Sequence, residues 1–110
     1  MKQINAYLSF NGNCREAVNF YAKALGGEVK IMTWAKAPGA PKESADRIMH
    51  ACLTKDEGTL MASDMPPGKS VHAGDNFSVC IDFDSTEEQA KCFAAMSEGG
   101  EVTMPLQETF

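Results

Sequence analysis

This chain of 110 residues contains no long apolar run and no basic cluster, and each absence removes a class of function. No stretch approaches the roughly 18 apolar residues of a membrane-spanning helix, so no membrane partner is expected. The densest basic region is Lys36 and Lys42 around a Pro/Gly loop, and the net charge is −5. A phosphate-reading surface needs a basic patch, so no nucleic acid is expected either. Met1 to Tyr7 holds one early Lys and nothing like the apolar core of a signal peptide, which makes a cytoplasmic location the expectation. The four cysteines (Cys14, Cys52, Cys80, Cys92) form no C-x-x-C pair and have no histidine cluster beside them. Each falls inside an expected regular element rather than at a loop staple, so buried free thiols in a reducing compartment are expected.

What is present fits one globular domain. The apolar share is 44%, enough for a core, and the charged share is 23%. Within it the chain repeats itself: Gly26-Gly27-Glu28-Val29 recurs as Gly99-Gly100-Glu101-Val102, an offset of 73 residues. At the same offset Phe20 meets Phe93, Ala17 meets Ala90, Phe10 meets Phe83, and Ala6 and Leu8 meet Val79 and Ile81. Each copy reads as strand, helix, Gly-Gly stop, strand. Such a unit cannot bury its apolar face alone, so the copies are expected to share a core with a ligand groove between them. Module one spans 1–64, a linker 65–75, and module two 76–110. The offset carries the end of module one, Asp64, to about residue 137, so module two is expected to be incomplete by roughly two strands.

Along module one, Ile4, Ala6, Leu8 and Phe10 alternate with Asn5, Tyr7 and Ser9, the period of a half-buried strand. Asn13 is placed as an N-cap with Glu16 completing a capping box, and Cys14, Ala17, Val18, Tyr21, Ala24 and Leu25 form the helix stripe. Gly26-Gly27 ends the helix. Strands are expected at 28–34, 47–54 and 59–64, with an Asp56-Glu57-Gly58 hairpin turn. In the third strand Met49, Ala51 and Leu53 are assigned to one face and Ile48, His50 and Cys52 to the other. In module two a strand with Phe77, Val79, Ile81 and Phe83 on its core face precedes a helix capped by Ser85 with Glu88, and a last strand begins at 101–104. The pattern predicts an α+β fold: tandem βαβββ modules with mixed, cupped sheets, helices on the outer face, and the second module short of two strands.

The runs Phe10-Asn11-Gly12-Asn13-Cys14, Phe20-Tyr21, Leu25-Gly26-Gly27, His50-Ala51, Ser63-Asp64-Met65-Pro66 and Met104 to Phe110 carry a family likeness. The chain resembles the vicinal oxygen chelate superfamily of glyoxalases, bleomycin-resistance proteins and dioxygenases, and within it the PhnB-like branch. The resemblance implies a homodimer, and an exposed sheet edge in an incomplete module also invites strand pairing. Some members of the branch carry a ubiquinone-precursor methyltransferase label. That chemistry finds no support here, because no glycine-rich loop leads from a strand into a nucleotide-binding helix.

In metal-dependent relatives the cation is held from the first and fourth strands of each module. Carried over, those positions are Asn5, Met61 and Ser78, with the last strand lacking; shifting the register to Ala6, Ala62 or Asn76 adds no better donor. An amide, a thioether and a hydroxyl make a poor set for a divalent cation, so neither a metal nor any other cofactor is expected. His50 has two readings: a general base or anion-recognising group in a cup, or a hydrogen-bonded interior histidine. His72 reads as a solvated loop residue. Asp64 reads as a cap at its strand end, and Asp82 as an exposed strand-end carboxylate rather than half of an acid–base pair. Tyr7, Trp34, His50, Met61 and Cys80 form a face suited to a small, partly apolar ligand, though a filled core would show the same alternation. The expected function is small-molecule binding, with Asn5, Tyr7, Trp34, His50, Met61 and Ser78 as ligand-binding residues and no competent metal site. The alternative is a metal-dependent lyase or dioxygenase of the glyoxalase type whose site is completed by further strands. Catalysis is left open between them.

Overall fold

The computed structural model describes residues 1–36 and 45–107. The Pro38, Gly39, Pro41 and Lys42 loop and the closing Glu108-Thr109-Phe110 of the family run lie outside the described residues. The chain divides into two units, Met1–Val79 and Cys80–Phe110.

In the first unit the order is β1 (Ala6–Phe10), α1 (Cys14–Leu25), β2 (Glu28–Thr33), a 3-10 turn at Trp34–Lys36, β3 (Ile48–Lys55) and β4 (Gly58–Asp64). The four strands form one mixed sheet in the order β1-β4-β3-β2. β1 runs parallel to β4, while β3 pairs antiparallel with both neighbours. This is the α+β architecture expected from the sequence. β3 and β4 are joined by the two residues Asp56-Glu57, and Asp56 takes a positive φ of 52°.

One face of the sheet is covered by α1 through Cys14 and Val18, which meet Ile48, Ala51 and Ala62 in the core. Leu8, Phe10, Val29 and Ile31 pack around that cluster. Small residues at the centre (Ala51 and Ala62 are cross-strand partners) let the helix sit close to the sheet. Ile48 departs from the expected alternation. It is fully buried on the core face, not on the face of His50 and Cys52. The cause is an irregularity opposite Met32 and Thr33: Met32 pairs with His50 but Thr33 pairs with Ile48, so one extra residue of β3 turns its start inward.

The start of α1 also differs from expectation. Asn13 occupies the N-cap but makes no side-chain cap hydrogen bond. The helix is capped instead from the far end of the fold by Asp64. Its Oδ1 accepts from the backbone N–H of Gly12 at 2.9 Å and of Cys14 at 3.0 Å, and its Oδ2 accepts from Ile48 N–H at 2.9 Å. A buried carboxylate thus satisfies amides orphaned at the helix start and at the opening of β3, with favourable alignment to the helix dipole. At the other end Lys55 Nζ donates to the Leu25 carbonyl at 2.7 Å. Gly27, with φ of 104°, passes so close to Thr54 and Lys55 that no Cβ would fit.

The second unit contains α2 (Thr86–Ser97), whose N-cap Ser85 accepts from Glu88 N–H at 3.1 Å as the capping box requires. Its twelve residues match α1 in length, and its start lies one residue before the position that the 73-residue offset assigns. The runs 77–83 and 101–104, expected as strands, are not strands here. Sheet order in the first unit explains this: β1 and β2 occupy opposite edges and never touch, because β4 and β3 stand between them. By the repeat, 77–83 and 101–104 correspond to β1 and β2, so neither can pair with the other. Their apolar positions stay open, with Phe77 80% and Met104 61% exposed. Among the thiols, Cys14 and Cys92 are buried as expected, whereas Cys52 is half-buried and Cys80 exposed; all four are free.

Candidate functional site

The face of the sheet opposite α1 carries Tyr7, His50 and Met61, three of the residues expected to bind a ligand. Cross-strand pairing sets Tyr7 beside Met61, Met61 beside Cys52, and Cys52 beside Lys30, so one row crosses all four strands. The next row pairs His50 with Met32. Residues directly opposite on a sheet share a face, and the pleat turns all of these away from the α1 core.

Tyr7 and His50 meet across β4. The Tyr7 Oη lies 3.1 Å from His50 Nδ1, and the ring centroids are 5.7 Å apart at 41°. A phenol donating to Nδ1 leaves the proton on Nε2, so the imidazole offers a neutral N–H donor; a protonated ring would instead donate from Nδ1 to the phenol oxygen. Tyr7 is 49% exposed and His50 half-buried. His50 is thus hydrogen-bonded but half open to solvent rather than interior.

The other expected site residues are more scattered. Met61 lies in the row just described. Asn5 precedes β1 and donates to Gln3 Oε1 at 3.1 Å. Trp34 stands beyond the end of β2 in the 3-10 turn, half-buried, with its backbone N–H donating to the Arg47 carbonyl at 3.1 Å. Ser78 is exposed and outside any strand, as is Cys80. Cys52, assigned from the sequence to the face of His50 but not counted among the ligand-binding residues, lies in the same row, and Lys30 and Met32, which the sequence reading did not name, stand on this face too. The signal for the last two was the plain alternation of Glu28 to Thr33. Asp64 is 4% exposed and wholly engaged with backbone amides, so it is a structural cap and not half of a carboxylate pair.

The donors do not suit a hard divalent cation. Among the described residues no group of three His, Cys, Asp or Glu side chains converges. Asn5, Met61 and Ser78, the positions at which the resemblance would lead one to expect a cation, bring an amide, a thioether and a hydroxyl, and of the three Met61 alone lies on a strand. Cys14 is no nucleophile: burial first, then the Asp64 carboxylate, pushes its thiol up to about 11.

The 3-demethylubiquinone-9 3-methyltransferase family model matches residues 2–108. Protein YjdN of Escherichia coli K12 is 31% identical over 120 aligned positions, covering 97% of this chain and 80% of that protein. The crystal structure of protein PA1353 from Pseudomonas aeruginosa superposes with a TM-score of 0.87 at 40% identity, over 99% of this chain and 82% of that one. A PhnB protein from Bacillus cereus, at 24% identity and a TM-score of 0.72 over 94% of this chain and 80% of that one, shares the fold. The chain belongs to the family described as 3-demethylubiquinone-9 3-methyltransferase, the PhnB-like proteins with a glyoxalase-type α+β fold.

Proposed function

We propose that this protein binds a small, partly apolar organic molecule on the open face of its four-stranded sheet, as a member of the vicinal oxygen chelate superfamily. The observation that carries the reading is the Tyr7–His50 pair at 3.1 Å, set beside the soft surface of Met61 and Cys52. The Tyr7 ring offers a face for stacking, and the thioether and thiol offer polarisable contact. His50 supplies one directional polar contact, from Nε2 to an oxygen of the ligand. A few polar groups on an otherwise apolar lining is the usual composition of such sites.

The family's description names a methyl transfer, and that activity is not assigned to this chain. The one strand–turn–helix crossing among the described residues of the first unit is β1 to α1, where Asp64 already occupies the amides of Gly12 and Cys14. A cofactor approaching that helix start meets a carboxylate in place of free N–H groups.

The test is a nuclear magnetic resonance titration with benzoate, phenol and catechol as probes. The reading expects shifts confined to Tyr7, Met61, Cys52 and the His50 ring, with binding weakened severalfold in Tyr7→Phe and abolished in His50→Ala. Shifts that avoid this face, or binding unchanged in both variants, overturn it.

A further inference from the structure

Of the asparagines in the chain, Asn11 alone is followed by glycine; Asn5, Asn13, Asn19 and Asn76 precede Ala6, Cys14, Phe20 and Phe77. The neighbour matters because glycine places no Cβ in the way of the asparagine side chain and turns freely. The Gly12 nitrogen and the Asn11 Cγ then stand where they close a five-membered ring, which expels the side-chain amide as ammonia. Asn11 and Gly12 are both exposed, so burial does not keep water from the pair.

The fold nevertheless occupies both reacting groups. Gly12 donates its N–H to Asp64 Oδ1 at 2.9 Å. A backbone nitrogen bonds to carbon at the position its proton vacates, and here that direction points at the carboxylate. The Asn11 amide is held away at both of its ends. Its Oδ1 accepts from the Val71 N–H at 2.7 Å, and its Nδ2 donates to the Val71 carbonyl at 3.4 Å.

We infer that Asn11 is a deamidation site, locked by Asp64 on one side and by Val71 on the other. When the start of α1 opens, the Gly12 nitrogen gives its proton to solvent and attacks Asn11 Cγ. The Cγ–Nδ2 bond breaks, and Nδ2 takes up a proton and leaves as ammonia. Water then opens the succinimide at one carbonyl or the other, giving aspartate or isoaspartate, with no oxidant or reductant involved. Isoaspartate routes the main chain through Cγ and lengthens it by one carbon just before Gly12, which displaces the amide that Asp64 binds. Aspartate has no N–H to offer the Val71 carbonyl. Either product turns a passing opening into a permanent one.

The experiment incubates the 110-residue chain, folded and unfolded in guanidinium chloride, at one mildly alkaline pH. Peptide mass mapping reads the exchange of NH2 for OH at each asparagine. The unfolded chain is expected to lose the Asn11 amide before any other, roughly tenfold or more faster than the folded chain. Asp64→Asn is expected to raise the folded rate about tenfold, the factor set by weakening one charge-assisted bond. Val71→Pro removes the N–H bound to Asn11 Oδ1, in a segment outside any helix or strand. It is expected to raise the rate severalfold, and it carries the comparison where Asp64→Asn does not fold. Gly27→Ala strains the far end of α1 against Thr54 and Lys55 and touches neither lock, so it is expected to leave the rate within about twofold. Equal rates in the folded and unfolded chain overturn the inference, as does a first loss at another asparagine. So do a Gly27→Ala variant that speeds the loss as much as Asp64→Asn, and folded rates unchanged in both Asp64→Asn and Val71→Pro.

Discussion

Replacing Asp64 by Asn tests how far one side chain holds the first unit together. The carboxylate accepts three backbone hydrogen bonds at 2.9 to 3.0 Å, and the residue is 4% exposed. The variant keeps the size but loses the charge and one acceptor. Its best orientation turns the amide oxygen to Gly12 and Cys14, which weakens two charge-assisted bonds by about 1 kcal/mol each. The amide NH2 then faces the Ile48 N–H, donor against donor. That leaves a buried amide unpaired at a cost of about 1–3 kcal/mol. The sum, about 3–5 kcal/mol, is a large part of the 5–15 kcal/mol typical of a small domain.

The assay is urea unfolding followed by the fluorescence of Trp34, the sole tryptophan, which lies in this unit. With an m-value of about 1–1.5 kcal/mol per M, the midpoint of Asp64→Asn should fall by about 2–5 M. Native-state hydrogen exchange should show the same loss first at Cys14 and Ile48, the amides that lose or weaken their acceptor. A midpoint within about 0.5 M of wild type, less than 1 kcal/mol by the same m-value, would refute the claim that this carboxylate caps α1.

Folding holds the Cys14 thiol up at about 11 against an ordinary 9.0, so its contribution to stability is intact below pH 9 and is lost as pH rises toward 11. Cys14→Ala should flatten that alkaline decline in a pH series of unfolding free energies, and wild-type Cys14 should resist alkylation at pH 8 while Cys80 reacts. Gly27→Ala drives a Cβ to 2.9 Å from Lys55 Cβ at a positive φ and should cost about 2–4 kcal/mol, whereas Gly99→Ala, with open space around it, should cost about 1 kcal/mol. Thermal or urea unfolding of the pair distinguishes them. Tyr7→Phe should leave stability within about 1 kcal/mol of wild type and move the Nδ1 resonance of the His50 ring, which loses its 3.1 Å partner, in a long-range nitrogen–proton correlation spectrum.

Local pattern made most of the first unit legible. The Gly26-Gly27 stop, the α1 stripe and the alternation of β1 and β4 each depend on neighbours within one turn or one pleat, so they survive being read in isolation. Two features were hidden because they depend on contacts distant in sequence. Asn13 has the chemistry of an N-cap, yet the capping oxygen comes from Asp64, fifty positions from the Cys14 N–H that it accepts. Ile48 sits in a strand whose alternation is broken by one irregular pair, and nothing in the residues near it marks that position. The second unit failed for a different reason. The residues of 77–83 have full strand character, but a strand is defined by its partner, and the order β1-β4-β3-β2 denies this run the other one in its module. On the open face, alternation placed Tyr7, His50 and Met61 together, and the strand pairing does the same. Alternation missed that Tyr7 reaches past its direct neighbour to the strand beyond, because that diagonal depends on the register of two pairings at once.

The cap and the open face are coupled through β4. Tyr7 on β1 and His50 on β3 share no backbone hydrogen bond, and β4 alone fixes their separation. Asp64 ends that strand, and its bonds to Gly12 and Ile48 pin the chain just after β1 and at the start of β3. Loosening those two points frees both flanking strands to shift against β4, while the 3.1 Å contact between the rings tolerates little displacement before it ceases to be a hydrogen bond. Asp64→Asn should therefore disturb a site on the opposite face of the sheet even under conditions where the variant is folded. In mild conditions the His50 ring resonances of Asp64→Asn should move toward those of Tyr7→Phe. If the two variants leave His50 in different states, with Asp64→Asn indistinguishable from wild type, the cap acts on stability alone and the site is organised by β4 without it.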